Sequence, residues 1–399
     1  MGKKGTFILN KQKPFYSWYQ YLEGYSKEFV ESELKGLKNI KSIYDPFAGS
    51  GTTMLYASMN GIKSYYSETN PFMVWVSETK INSSKYCYEN YISFEKEYNR
   101  IIYEVKNNFK PYYLDVADNE FSKFYDFDVF KKIFALKSLV EKKSKNRYFK
   151  DVFMLAIASN LITVSNMVRR GDLRYATEKE LLKKDKDIIK LFLLKIESMR
   201  DDIYTHGSKL KENTYLLDTD VRNVNKENLV DCVVTSPPYL NGTNYIRNTK
   251  LELNFLGFLE KEKDISKFHS KGIIAAINNV SRRNDKRNHH FVFLEQPVEA
   301  LELIAYDTRI TRMITGYFDN MYDAIKSIKK IIKPGGHFSL DIGDSQFSGV
   351  HIRTHDYLKK ICLMSGFEWY NEEILRKRRS HNGMELTQRI MRFKVKQGE

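Results

Sequence analysis

Thr235-Ser236-Pro237-Pro238-Tyr239 packs the most chemistry into the fewest residues of this chain. It follows an apolar run, Asp231 to Val234, that reads as a buried strand. Two consecutive prolines fix φ twice and remove two N–H donors. The backbone carbonyls there, and the Ser236 hydroxyl, then stand as fixed acceptors. Such acceptors suit an exocyclic amino group whose lone pair is delocalised into its ring. Held through both N–H groups, the nitrogen is drawn toward sp³ geometry as it attacks an electrophile, with the acceptors preorganised for the charge that develops. Tyr239 offers a face on which an extruded base can stack. A Pro-Pro turn that merely ends a strand is the bland alternative.

A second constellation lies upstream. A β-like run, Ile40 to Tyr44, leads into Asp45-Pro46-Phe47-Ala48-Gly49-Ser50-Gly51-Thr52-Thr53. A helical pattern from Thr52 to Asn60 ends at Gly61, and a second strand-like run, Ile62 to Ser67, ends at Glu68. Strand, glycine turn, helix, strand and acid open a doubly wound α/β fold. Gly49 and Gly51 let the turn bend and a ligand approach the backbone. The helix points its positive end at that ligand, and Glu68 is placed to accept from a ribose diol. A dinucleotide fingerprint is incomplete, because Met54 holds the third glycine's place. No Lys follows Gly51, so this is not a Walker A loop.

Together the two segments resemble the amino-methyltransferases that modify cytosine N4 or adenine N6 in DNA. Their cofactor motif, Asp-Pro-Phe-x-Gly-Ser-Gly-Thr, matches Asp45 to Thr52. Their catalytic motif, (Ser/Asn/Asp)-Pro-Pro-(Tyr/Phe), matches Ser236 to Tyr239. The resemblance implies S-adenosyl-L-methionine as cofactor, bound by Asp45, Pro46, Phe47, Gly49, Gly51 and Thr52, with Glu68 on the ribose. Asp220 would meet the adenine amino group, with Asp218 competing for that role. Ser236, Pro237, Pro238 and Tyr239 would form the catalytic set. Phe15 to Phe29 stands where the family often keeps its remaining cofactor motif. Ser at 236 favours cytosine N4 in that family, with adenine N6 the second reading, and the resemblance implies a restriction–modification role. RNA base methylation and a catalytically silent nucleic-acid-binding module are further alternatives. The cofactor motif precedes the catalytic one, the reverse of many serine-type members.

The implied fold is α/β, a Rossmann-like class I methyltransferase fold: a mostly parallel seven-stranded sheet with a terminal antiparallel hairpin, plus a largely helical insertion. The hairpin would be Phe367 to Leu375 and Gln388 to Val395 around a basic turn, Arg376 to His381. Residues 1–80 and 213–399 make the discontinuous catalytic domain. Residues 81–212, lysine-rich and helical by period, are a candidate target-recognition insertion, and 240–312 a second irregular insertion that could contact DNA. Candidate DNA contacts are Arg169, Arg170 and Arg174 in the first, and Arg282, Arg283 and Arg287 in the second.

Composition agrees with a polyanionic partner, double-stranded DNA first: 65 Lys+Arg against 50 Asp+Glu give a formal net charge of +15. The 27 Tyr and 25 Phe are mostly core, with some free to stack on bases. Cys87, Cys232 and Cys362 are too scattered for a disulfide framework or a metal site, which suits a reducing cytoplasm. His351 and His355 read as a surface pair, so no metal is expected. Neither a signal peptide nor a membrane span is expected, and Gly2 to Thr6 fits a myristoylation pattern by coincidence. A companion restriction endonuclease would be a genetic rather than a physical partner.

Overall fold

The computed structural model describes residues 4–111, 118–211, 213–240, 243–269, 271–280, 289–380 and 382–397. The sequence-derived candidates Arg282, Arg283 and Arg287, and His381 of the basic turn, lie outside the described residues. In chain order the strands are β1 (Ser42–Asp45), β2 (Lys63–Ser67), β3 (Met167–Arg170), β4 (Asp172–Tyr175), β5 (Thr214–Asp218), β6 (Val230–Thr235), β7 (Ile332–Gly343), β8 (Ser345–Phe347), β9 (Val350–Ile352), β10 (Phe367–Arg379) and β11 (Glu385–Val395).

Seven of them form one sheet in the order β10-β11-β7-β6-β1-β2-β5. The pairs β1–β2, β1–β6, β2–β5 and β6–β7 are parallel. The pairs β11–β7 and β10–β11 are antiparallel, which closes the sheet with the expected terminal hairpin. This is the Rossmann-like methyltransferase fold.

Alternation along the central strands feeds apolar layers on both faces. Tyr66 joins the cluster that holds Phe72, Phe94 and Phe153, whereas Tyr65 joins the one around Met313, Tyr317 and Phe338. Ile43 and Tyr44 part in the same way, as do Val234 and Val233. Period-two side-chain direction makes this unavoidable once both faces are covered. Each fully buried Phe or Ile there stabilises by roughly 1.5–3 kcal/mol.

The stretch 81–212 is helical as read, with helices Tyr91–Asn107, Phe127–Lys143, Arg147–Ala158 and Ile188–His206. Its buried residues belong to the same apolar cluster as Met54, Leu55 and Phe72 of the cofactor-motif region. It also holds a hairpin that periodicity did not reveal, β3–β4, turned at Gly171 with φ +79. Two strands of four residues are too short to register a period.

Two local readings are corrected. Arg376 to Arg379 are not a turn: β10 runs through Arg379 and the connection begins at Ser380. His351 and His355 are not a surface pair. His355 is buried, and its Nδ1 lies 2.5 Å from Asp344 Oδ1, with His351 Nε2 3.5 Å from Asp344 Oδ2. The acid that pairs them sits just after β7, seven residues upstream of His351. Among the described residues no helix is long and apolar enough to cross a membrane.

Candidate active site

Chain segments that follow β1, β2, β5 and β6 converge on one cavity of about 450 Å³, at the carboxyl ends of the parallel strands. The strand order reverses there: β2 lies on one side of β1 and β6 on the other, which is where open α/β sheets bind ligands. Pro46, Phe47, Gly49, Thr52, Glu68, Asp220, Ser236, Pro237, Pro238 and Tyr239 all line it.

Asp45 lies beneath the lining rather than in it. It is fully buried; Oδ1 accepts from Thr235 Oγ1 at 2.7 Å and from the Phe47 amide at 3.1 Å, and Oδ2 accepts from Tyr25 Oη at 2.6 Å. Burial pushes its carboxyl above the ordinary value, and these donors oppose the shift. Asp45 therefore ties the end of β1 to the end of β6 and to the N-terminal segment.

The two glycines also make room for protein neighbours. A Cβ on Gly49, at φ +51, would stand 2.8 Å from the Tyr21 ring, and one on Gly51, at φ +83, would stand 2.6 Å from Ser77 Oγ. Both adopt backbone that L side chains avoid. Gly51 thus lets the helix Pro71–Glu78 close on the turn, and Gly49 lets Tyr21 cover it.

Glu68 holds the loop from the next strand end. The amides of Gly49 and Asn70 donate to its two oxygens at 2.7 and 2.8 Å, and burial pushes its carboxyl up to about 7 against them. Asn70 caps the helix Pro71–Glu78 by accepting from the Phe72 amide at 3.1 Å. Asp220 is held by Arg222, whose guanidinium approaches to 2.6 Å. Asp218 is not part of the cavity lining and accepts from the Asp220 amide at 2.9 Å.

Tyr239 is the centre of a half-buried polar network. Its ring lies against Gly343, where a Cβ would come within 3.0 Å, and its amide donates to Tyr245 Oη at 2.9 Å. Its hydroxyl accepts from Gln388 Nε2 of β11 at 2.9 Å and feels Ser236 and Asp341 of β7 electrostatically. Gln388 Nε2 also reaches Asp341 Oδ2 at 2.9 Å. Burial pushes the Asp341 carboxyl up to about 7, opposed by Gln388 and Tyr239 and aided by Glu33.

Several of these residues were not found by sequence reasoning. Tyr21, Glu23 and Tyr25 come from the segment Phe15 to Phe29, in which no individual residue was singled out. Asp341 had a visible signal, one acid inside the apolar run Phe338 to Ile342; Gln388 had none.

The arginines of the first insertion are differently placed from their sequence reading. Arg169 is a core residue, not a surface contact: its guanidinium meets Glu252 Oε1 at 2.8 Å, Tyr19 Oη at 3.1 Å and the Asn248 carbonyl at 2.6 Å. Arg174 forms a two-pronged pair with Glu180 at 2.9 and 3.0 Å, and Arg170 lies 3.5 Å from the same carboxylate.

A mostly parallel seven-stranded sheet with a reversed terminal hairpin, whose glycine turn and Pro-Pro strand end open into one cavity, defines a class I methyltransferase. The chain is 26% identical to the type II methyltransferase M.BsoBI of Geobacillus stearothermophilus, over 96% of its own length and 84% of that protein's. It is 25% identical to the type II methyltransferases M.AvaI of Nostoc sp. and of Anabaena variabilis, over 91% of its length and 81% of theirs. No family model matches the chain. This likeness to type II methyltransferases over most of the chain supports a DNA methyltransferase of the restriction–modification kind.

Proposed function

We propose that the protein transfers a methyl group from S-adenosylmethionine to the exocyclic N4 amino group of a cytosine flipped out of duplex DNA, and so protects that DNA from a companion nuclease. The observation that carries this reading is the shared cavity: Ser236 to Tyr239 face the same space as Glu68 and Asp220.

The donor set fits S-adenosylmethionine. Glu68 suits the ribose hydroxyls and Asp220 the adenine amine. Glu23 Oε2 is buried without a hydrogen-bond partner among the described residues, in a side chain that lines the cavity, and it suits an ammonium group. The bound cofactor would supply an electrophilic methyl group on a sulfonium. Ser236 then accepts from the target amine and orients its nitrogen. An amine that took up the methyl group would have to shed one proton. The neighbouring polar groups of Ser236, Tyr239 and Asp341 offer it a route inward, and a carboxyl near 7 is matched to accepting it at neutral pH.

Mass spectrometry of nucleosides from the DNA of an expressing host tests the reading. N4-methylcytosine is expected. N6-methyladenine would replace the substrate base, and methyl incorporation confined to RNA would overturn the DNA substrate. A host DNA with no new base, together with no incorporation in vitro, would support the silent binding module.

A further inference from the structure

We propose that the basic row Arg376-Lys377-Arg378-Arg379 on β10 grips the phosphate backbone of duplex DNA at the mouth of the catalytic cavity. The inference rests on the nucleotide-flipping reading above and adds the surface that holds the strand. All four side chains are exposed. Arg376 and Arg378 line the same cavity as Tyr239. Arg376 pairs across the ladder with Gln388, the residue that donates to the Tyr239 hydroxyl. The row therefore begins one side chain away from the catalytic network.

The charge there is largely uncompensated. The acids earlier on β10 are taken by β11: Glu372 by Arg389 at 2.6 Å and Glu373 by Arg392 at 2.9 Å. Lys377 pairs with exposed Glu385 at 2.9 Å, and Arg378 gives one N–H to the Asp344 carbonyl at 3.0 Å. Among the described residues the side chains of Arg376 and Arg379 have neither an ion pair nor a hydrogen bond. This is the opposite of Arg169 and Arg174, whose guanidinium groups are occupied by Glu252 and Glu180.

Geometry adds a second reason. The register shifts between Ile374 and Arg376, a bulge of the kind that re-aims side chains beside active sites. Beyond it, Arg376 and Arg378 share one face of the strand, about 6.8 Å apart along it. That is about the rise of two nucleotides along a DNA strand. A base extruded into this cavity carries its two flanking phosphates to the cavity mouth, and phosphate contacts are what set register on a duplex.

The test is duplex binding by fluorescence anisotropy across a salt series, without turnover, for the full chain and for Arg376→Ala/Arg378→Ala. Expected are at least a ~10-fold weaker Kd regardless of sequence and a salt slope reduced by about 1.8, two phosphate contacts' worth. The S-adenosylmethionine Kd by calorimetry stays unchanged, and Arg376→Lys/Arg378→Lys recovers most of the duplex affinity. An unchanged duplex Kd and slope overturns the proposal. So does a parallel loss of S-adenosylmethionine affinity, which would make the row a cofactor anchor, or a loss confined to single-stranded RNA. A lysine variant as weak as the alanine one would also overturn it, since charge would not be the cause. If the wild type shows the expected binding differences but methylates no base, the methyl-transfer reading falls and this one stands.

Discussion

Replacing Asp341 with Asn separates the structural cost of a buried acid from its use. Asp341 is 1% exposed, and its carboxyl is pushed up to about 7 from an ordinary 3.8, first by burial. The sign follows from proton counting. Between pH 3.8 and 7 the unfolded chain has released the proton that the folded chain retains, so stability falls as pH rises. The slope is about 1.4 kcal/mol per pH unit, which amounts to roughly 4 kcal/mol across that window and stays constant above it. The contribution is fully present below pH 3.8 and lost as pH climbs through the folded value.

Asn has no proton to lose and still presents an oxygen to Gln388 Nε2. Urea unfolding of wild type and Asp341→Asn at pH 5, 6, 7 and 8 reads the difference directly. The variant's stability relative to wild type should climb between pH 5 and 7 and then level off. Glu68, also pushed up to about 7, contributes to both proteins and cancels. A difference that is flat with pH refutes the argument that Asp341 is buried as a neutral acid. The kinetic counterpart is a lower kcat with no rise through pH 7 and an unchanged cofactor Kd; a variant that keeps the wild-type pH midpoint refutes the proton route.

Three further outcomes are expected. Tyr239→Ala should cut turnover on the order of 10²-fold while the cofactor Kd stays within a few-fold, because it removes an anchored wall rather than a cofactor ligand; equal losses by calorimetry and steady-state assay would count against that role. Gly49→Val should abolish S-adenosylmethionine binding, since the new side chain is strained at φ +51 and drives into Tyr21, which lines the cavity; an unchanged isotherm would remove the site from this turn. Arg169→Ala should destabilise by about 3–5 kcal/mol by stranding buried Glu252; wild-type melting with weakened duplex binding would return Arg169 to the DNA interface.

Much of this was legible because its causes are local. Ile40 to Glu68 carries its own turn chemistry and apolar runs, and the observed strands and helix fall within two residues of the reading at each boundary. Ser236 to Tyr239 were legible because two prolines after a buried run have few other uses. What stayed hidden depends on pairing between distant segments. Gln388 reaches Tyr239 only because β11 lies antiparallel to β7, and nothing near Gln388 in sequence announces that. Arg169 looked like part of a surface cluster because its neighbours are polar. Its partners, Tyr19, Asn248 and Glu252, are at least 79 residues away. The arginines of β10 were assigned to a turn because charge outweighed strand propensity on an exposed, antiparallel edge.

The motif order and the long insertion leave the site intact for a topological reason. β1 and β6 are neighbours in the sheet whatever the chain does between them, and the Thr235 hydroxyl donates to Asp45 across 190 residues of sequence. The insertion enters after β2 and leaves before β5, which are themselves paired. A parallel pair needs a crossover of some kind, and lengthening one costs closure entropy only logarithmically. The inserted helices offset that cost by burying their apolar faces on the helices beside the cofactor turn. Sequence distance between the two motifs therefore carries no information about their distance in space; the strand order does, and it puts both at one cavity.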